Sequence, residues 1–509
     1  MGCLHAWTAA RRGDALLGHD EAISLLAAAG KSPRIDRYYE RLGTPQVMPA
    51  RDVRDLLRPT GDTHLADVRA SLARHDKHPP LYFATLHLLQ RAGLHSRMAL
   101  RLLGSAALMA GALIADRLIW PGAPIGLRLL GFLLLTIPPP WINLAVELRH
   151  YAFVFLGTIL SFAAIISFAE RRASLRSNVI LLSLAPAILL WTHWGTALWI
   201  GLCLIAALLL LRKSPPRARR ALAGSILGAL VLLLPLAILY WERLTQLAAT
   251  KMQPLAVRPM LTATWEVLHG AGTAWCSLPT HWQASHANAI ALVGVWAVCG
   301  WIILRRPRVD RILFGSGLLW LIAWTAWLAK GGIPAHAVTG KYVLPLALCP
   351  LVILMRTAAE SVEADRRRRL ACVLLSVATL THGIGIWQIG THQPDRRLVA
   401  SIRAAECVLF DQPKRGYMLP VVAKMPPEAT VLISPAEGVL ANWAEFASHL
   451  PEDRLLWVEI DTVFDGRRGV SARALSDQLG SLYEDRKTLR QGPHRTITEF
   501  RRRVAPRGS

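Results

Sequence analysis

Tyr151-Ala152-Phe153-Val154-Phe155-Leu156-Gly157-Thr158-Ile159-Leu160 opens a run that continues to Ala169 without a single charged side chain. Wound as an α-helix, a run of that length crosses the roughly 30 Å of hydrocarbon in a bilayer. Similar runs recur between charged or proline-rich breaks over residues 99–119, 126–142, 178–193, 195–211, 221–241, 287–304, 312–329, 341–356 and 370–390. Mean hydropathy over the 509 residues is positive, more apolar surface than a soluble fold can hide from water. The expected fold is therefore an all-α polytopic membrane protein.

The net charge of +24 could point to nucleic acid, but the charges are placed differently. Arg and Lys gather in alternate loops: Arg171, Arg172 and Arg176; Arg212, Lys213, Arg217, Arg219 and Arg220; Arg305, Arg306, Arg308 and Arg311; then Arg356 and Arg366 to Arg369. The intervening loops hold few, among them Arg149, Arg243, Lys251, Arg258 and Lys330. This is the positive-inside pattern, and it assigns the basic loops to the cytoplasm. Residues 1–98, 143–150, 242–286, 330–340 and 391–509 then face outward. No basic stripe with interleaved aromatics accompanies the charge, so nucleic acid is not an expected partner. Cys203, Cys299, Cys349 and Cys372 read as small apolar residues in or beside spans, and no metal-type cysteine spacing occurs. A Cys276–Cys407 disulfide is a weak reading.

Three segments follow from this topology. Residues 1–98 are expected to form a large outer loop with helices at the membrane interface, around Glu21–Ala29 and Asp62–His75. Residues 99–390 form a bundle of about ten helices. Residues 391–509 form a small α/β domain, with strands at Thr430–Ser434, Leu455–Ile460 and Thr496–Phe500, and helices at Leu440–His449 and Ser471–Leu489. Met1–His19 contains no adequate apolar run, because Arg11, Arg12 and Asp14 interrupt it. Something must carry the outer loop across, so a further transmembrane helix upstream of Asp20 is expected in the native protein.

Chemistry-bearing residues collect in the outer segments. Asp20-Glu21 offers a carboxylate that can accept a proton from a hydroxyl, or oxygen ligands for a divalent metal cation; it equally suits a helix cap. His78-Pro79-Pro80-Leu81-Tyr82 holds two polar side chains at a rigid corner before an apolar helix. Glu147-Leu148-Arg149-His150-Tyr151 places an acid and an arginine against a span, where a charge is costly without a partner. The arginine can neutralise phosphate, or it can pair with Glu147, as Arg101 also could. His193, between Thr192 and Trp194, reads as an interfacial residue in an aromatic belt. Lys341 can meet a phosphate or snorkel to the interface.

Taken in order, these segments resemble the multi-spanning glycosyltransferases that use polyprenyl-phosphate sugars, in the bacterial group related to family 39. That group comprises protein mannosyltransferases, aminoarabinose transferases of lipid A and related galacturonosyltransferases. The residues that carry the resemblance are Asp20-Glu21-Ala22; His78 to Tyr82; Ala99-Leu100-Arg101-Leu102 with Ser105; Glu147 to Ala152; Thr192-His193-Trp194; and Lys341-Tyr342-Val343-Leu344-Pro345. The family commonly has Arg in place of Lys341 and often Pro in place of His150. The resemblance spans roughly residues 18–356 and implies a GT-C-like transmembrane bundle.

It further implies inverting transfer from a polyprenyl-phosphate sugar on the outer face of the bacterial inner membrane. The acceptor would be lipid A, core glycan, another envelope polysaccharide or a protein. By this analogy Asp20 is the base, Glu21 supports it, and Glu147 is a second acid that orients the acceptor or shares a metal with Asp20. Arg149, His78, Tyr82, Arg101 and Lys341 would meet the donor phosphate, with Asp20 and Glu147 converging in the fold. The rival reading is a non-catalytic transporter or flippase of a lipid-linked glycan. Against it, few ionisable groups lie mid-span, where a conduction path needs them.

Overall fold

The computed structural model describes residues 2–14, 16–35, 46–75, 78–170, 174–211, 216–249, 259–273, 275, 284–329, 344–359, 366–391, 396–411, 415–451, 453–459, 470–483, 485–492 and 495–501. The chain divides into two compact units. One combines Met1–Ala6 with Arg101–His392; the other combines Trp7–Leu100 with Gln393–Ser509.

The first unit is built of apolar helices. Six described helices have the length and hydropathy to cross a membrane: Arg97–Ile119, Tyr151–Glu170, Pro216–Tyr240, His286–Ile303, Arg308–Ala329 and Arg366–Ile386. Ile125–Thr136 and Pro139–Val146 form a bent pair at 58° that makes a seventh when counted as one span. Arg176–Thr192, Trp194–Leu210 and Leu344–Ala359 are apolar but shorter. The described part of every apolar run read from the sequence thus falls on one of these helices, residues 341–343 lying outside the described residues. Helix Tyr151–Glu170 is the hub: Phe155, Ile159, Phe162 and Ile166 are fully buried in the apolar core. A helix that is apolar all round must be covered on every side. Helix Pro216–Ala249 sits at the other extreme, with Leu227, Leu230, Val231, Leu234 and Ile238 exposed along it. That surface suits lipid, where exposed leucine carries no penalty.

At the arginine-rich end of this unit, three buried charged side chains and the half-buried Glu170 form a network. Asp310, fully buried, accepts from Arg306 Nε and Arg356 Nε, each at 2.8 Å. Arg356 also pairs with Glu170 and donates from Nη1 to the Ile119 carbonyl at 3.2 Å. Arg308 donates to the carbonyl of Leu209 at 2.8 Å. Arginine's planar fork lets one side chain hold several acceptors at fixed angles. Arg356, read from sequence only as a topology marker, therefore ties together the ends of four helices.

The second unit carries a mixed six-stranded sheet of β1 (Gln46–Pro49), β2 (Cys407–Phe410), β3 (Thr430–Ile433), β4 (Arg454–Glu459), β5 (Asp485–Gly492) and β6 (Arg495–Arg501). Their spatial order is β1-β3-β2-β4-β6-β5. β2 pairs in parallel with both β3 and β4, and the other pairings are antiparallel. β2 is apolar and buried throughout, and β3 and β4 are apolar inside their polar ends, as a covered parallel sheet demands. Leu409, Leu432, Leu455, Trp457 and Phe500 form the core beneath helix Val470–Leu482. Gln46 faces Ile433 across the sheet, so the N-terminal segment supplies an edge strand to the C-terminal sheet. Ala50 N and Arg51 N donate to the carbonyls of Ala429 and Pro427 (2.7 and 2.9 Å), and Arg54 Nη1 to that of Met425.

The helix expected over Ser471–Leu489 stops at Leu482, and Asp485–Gly492 is strand β5. Its Asp485-Arg486-Lys487 start reads as a solvated helix face, yet charge also suits the outermost strand, where it blocks further pairing. Cys276 lies outside the described residues, while Cys407 is buried in β2.

Candidate functional site

In the helical unit, the motif residues are positioned by the triple proline Pro138-Pro139-Pro140. Pro138 caps helix Pro139–Val146 and bends it from its predecessor, because proline at a helix start presets φ and needs no donor. The helix ends at Glu147, whose N–H still reaches the Asn143 carbonyl at 3.0 Å, and Arg149 N turns back onto Glu147 O at 2.7 Å. This tight turn holds Glu147 half-buried, with Arg149 and His150 buried behind it. The Arg149 guanidinium lies over the Tyr151 ring, 5.9 Å from its centroid. Arg101 is 1% exposed, so its charge is enclosed by protein.

Gly104 makes the turn possible. A Cβ there would lie 2.2 Å from the Ala145 carbonyl oxygen, two residues before Glu147. Only glycine admits that approach. Gly104→Ala is expected to push this backbone aside. It should destabilise the protein by about 1–3 kcal/mol as overpacking and lower activity beyond what the thermal shift explains. A thermal melt beside an activity assay checks both, and an unchanged melt would show that the backbone yields freely.

His193 terminates helix Leu175–Thr192 and stacks on His150, with ring centroids 5.1 Å apart and planes at 28°. Its Nδ1 accepts the Gly195 N–H at 3.0 Å. A ring nitrogen that accepts carries no proton, so Nδ1 is spent on holding this turn. Beside it lies a small pocket walled by Tyr151, Thr158, His193, Trp199, Trp320 and Trp324. The three tryptophans were not expected as site residues. Trp320 and Trp324 lie well inside a helix and Trp199 in the first turn of another, where an apolar aromatic reads as core, and only the packing of helices Ala197–Leu211 and Arg308–Ala329 brings them together.

In the other unit, Asp20 and Glu21 open helix His19–Ala28. Glu21 is 4% exposed and its Oε2 accepts the Gly18 N–H at 2.8 Å, the reach-back of a capping box. Asp20 stands more open, with its side chain 37% exposed and its Oδ1 3.3 Å from His19 Nδ1. The adjacent acids therefore differ: Glu21 is committed to the helix start, and Asp20 projects from it. The His19 ring meets Tyr417 at 4.8 Å, a neighbour no sequence spacing could announce. Past the helix, Lys31 is buried and donates to the Asp55 carbonyl at 2.8 Å, and burial pushes its pKa below the ordinary lysine value. His78 precedes helix Leu81–Arg91, 6.4 Å from the Phe83 ring, and Tyr82 is 1% exposed in edge contact with Phe83. Asp20, Glu21, His78 and Tyr82 belong to this unit, while Arg101, Glu147 and Arg149 belong to the helical one. Lys341 lies outside the described residues.

These features define a polytopic membrane protein with a bundle of apolar helices and a mixed six-stranded sheet. The fold is that of ArnT from Cupriavidus metallidurans. Its apo crystal structure aligns with a TM-score of 0.50 at 12% identity, covering 83% of this chain and 87% of that one. The crystal structure of ArnT bound to undecaprenyl phosphate aligns over the same shares with a TM-score of 0.47 and 13% identity. No protein-family model and no curated protein sequence matches the chain.

Proposed function

We propose that this protein is an integral membrane glycosyltransferase. It would move a sugar from a polyprenyl-phosphate donor to an envelope acceptor (lipid A, core glycan, another polysaccharide or a protein) on the outer face of the bacterial inner membrane. The observation that carries this reading is the fold shared with ArnT over 83% of the chain, and the ordered motif set of residues 18–356 supports it.

In the proposed reaction, Asp20 takes the proton of the acceptor hydroxyl as its oxygen attacks the anomeric carbon. The bond from that carbon to the phosphate oxygen breaks, polyprenyl phosphate leaves, and configuration inverts. Glu21, spent on the helix start, supports Asp20 by fixing its backbone. Glu147 orients the acceptor, and Arg149, Arg101, Lys341, His78 and Tyr82 are the groups assigned to the charge that develops on the leaving phosphate. Asp20 and Glu147 also have the hard oxygen ligands a divalent cation takes. Transfer lost in chelator and restored by Mg²⁺ or Mn²⁺ would assign them as metal ligands.

The test is release of free polyprenyl phosphate by the protein in lipid nanodiscs supplied with polyprenyl-phosphate sugars and envelope extract. No release from any donor, with lipid-linked sugar crossing proteoliposomes instead, would replace the enzyme with a flippase. Orientation is checked separately. Reporter fusions after Arg176, Arg220, Arg308 and Arg367 are expected to report cytoplasm, and those after Leu255 and Ala436 the outer side. A cytoplasmic signal at Ala436 would overturn the placement of the site.

A further inference from the structure

We infer that helices Leu175–Thr192 and Pro216–Ala249 form a seat for one anionic diacyl phospholipid, with its phosphate among Arg176, Arg219 and Arg220 and its chains along a groove below them. The site is separate from the transfer reaction and does not depend on that reading.

Register comes first. A Cβ on Gly224 would meet the Val179 side chain at 3.9 Å, and one on Gly228 would meet Ser183 Oγ at 2.5 Å. Ser183 Oγ donates to the Ser225 carbonyl at 3.1 Å, and Trp191 Nε1 to that of Leu232 at 2.8 Å. The paired numbers rise together, so the two helices run parallel and start at one level.

Each helix bears an exposed stripe headed by arginine. On the first it is Arg176, Ile180 and Leu184; on the second it is Arg219, Ala223, Leu227 and Val231, with Arg220 beside it. Ile180 and Leu184 each follow a contact residue, Val179 and Ser183, by one position. Ala223 and Leu227 each precede one, Gly224 and Gly228. A single position is about 100° of helix. In a parallel pair, opposite rotations from a shared contact line bring both stripes to the same side, where they wall one groove. From Arg219 to Val231 the stripe runs about 18 Å, against about 15 Å of hydrocarbon in one leaflet.

Charge then selects the headgroup. From Arg171 to Trp241 the sequence has eight Arg and Lys and no Asp or Glu. Glu170, the acid just before this stretch, is bonded to Arg356. Among the described residues Arg176, Arg219 and Arg220 form no ion pair, whereas Arg128 is held by Asp116 and Arg356 by Asp310. A lipid phosphate would supply the missing anion, and basic sites between spans bind anionic headgroups on this principle. A zwitterionic headgroup would bring its ammonium to a stretch of chain with no carboxylate to meet it. A polyanion from the aqueous side would satisfy the arginines and leave the apolar groove unused.

The test titrates delipidated protein in detergent with dioleoyl phosphatidylglycerol or dioleoyl phosphatidylethanolamine and counts bound lipid by native mass spectrometry. Wild type is expected to bind one phosphatidylglycerol roughly tenfold or more tighter than phosphatidylethanolamine. Arg219→Gln with Arg220→Gln should weaken phosphatidylglycerol roughly thirtyfold, and Arg176→Gln on the partner helix roughly fivefold. Arg305→Gln with Arg311→Gln, which removes two exposed arginines from the same end of the bundle, should change it less than about twofold. Inorganic phosphate in excess, at matched ionic strength, should leave the lipid bound. Equal affinity of wild type for the two lipids would overturn the inference whether or not any variant folds. Equal weakening by the two double variants would reduce the effect to the general charge of this end and overturn it as well. Displacement by inorganic phosphate would make this an anion site without a lipid seat.

Discussion

Asp20→Asn is expected to lower sugar transfer by roughly 10²–10⁴-fold, the usual effect of removing a general base, with insertion and protein amount unchanged. The amide keeps the shape of the carboxylate and loses its basicity. Glu21 next to it already holds the Gly18 N–H, so the helix start survives the change. Glu147→Gln should be comparably severe, whereas Glu242→Gln, at an acid with no motif around it, should be mild. If the two acids serve one reaction, the double variant loses little more than the worse single one, because groups acting as a unit are not additive. An Asp20→Asn protein with normal transfer would leave Asp20 as part of the helix cap and remove it as the base.

Arg356→Met is expected to cost about 3–5 kcal/mol of stability, the range for breaking a buried ion pair by removing one partner. Asp310 is fully buried and would keep, among the described residues, only Arg306, while Glu170 would lose its bonded partner in this network. Asp310→Asn should be similarly harmful, since it leaves Arg306 and Arg356 facing each other without the acid. Unfolding of the purified protein in graded denaturing detergent measures both. A loss below about 1 kcal/mol would mean the network behaves as a solvated surface pair. The network also bears on function. A transporter with alternating access must part its helices at both ends, and this clamp opposes parting at the arginine-rich one.

Some of this was legible in the chain. Apolar runs the width of a bilayer leave a helix as the one local structure that satisfies the backbone in lipid. The bundle, its ten runs and the helix starting near Glu21 therefore follow from local composition. Strands β3, β4 and β6 were legible too, being short β-branched or aromatic runs between turn residues. Strand β5 was not, because its charged sequence suits a helix face as well as an edge strand, and only pairing with β6 decides between them.

What the sequence determined by itself is whatever depends on neighbours along the chain: membrane class, helix positions, and the segments that hold chemistry. Tertiary structure alone decided the rest. Gln46–Pro49 became the edge of a sheet formed by residues beyond 400, and Tyr417 was set beside His19. Trp199, Trp320 and Trp324 became the wall of one pocket, and Arg356 became a clamp on Asp310 and Glu170. Each is a contact between groups far apart in the chain. The residue types permit many such pairings, and close packing of rigid helices and strands selects one.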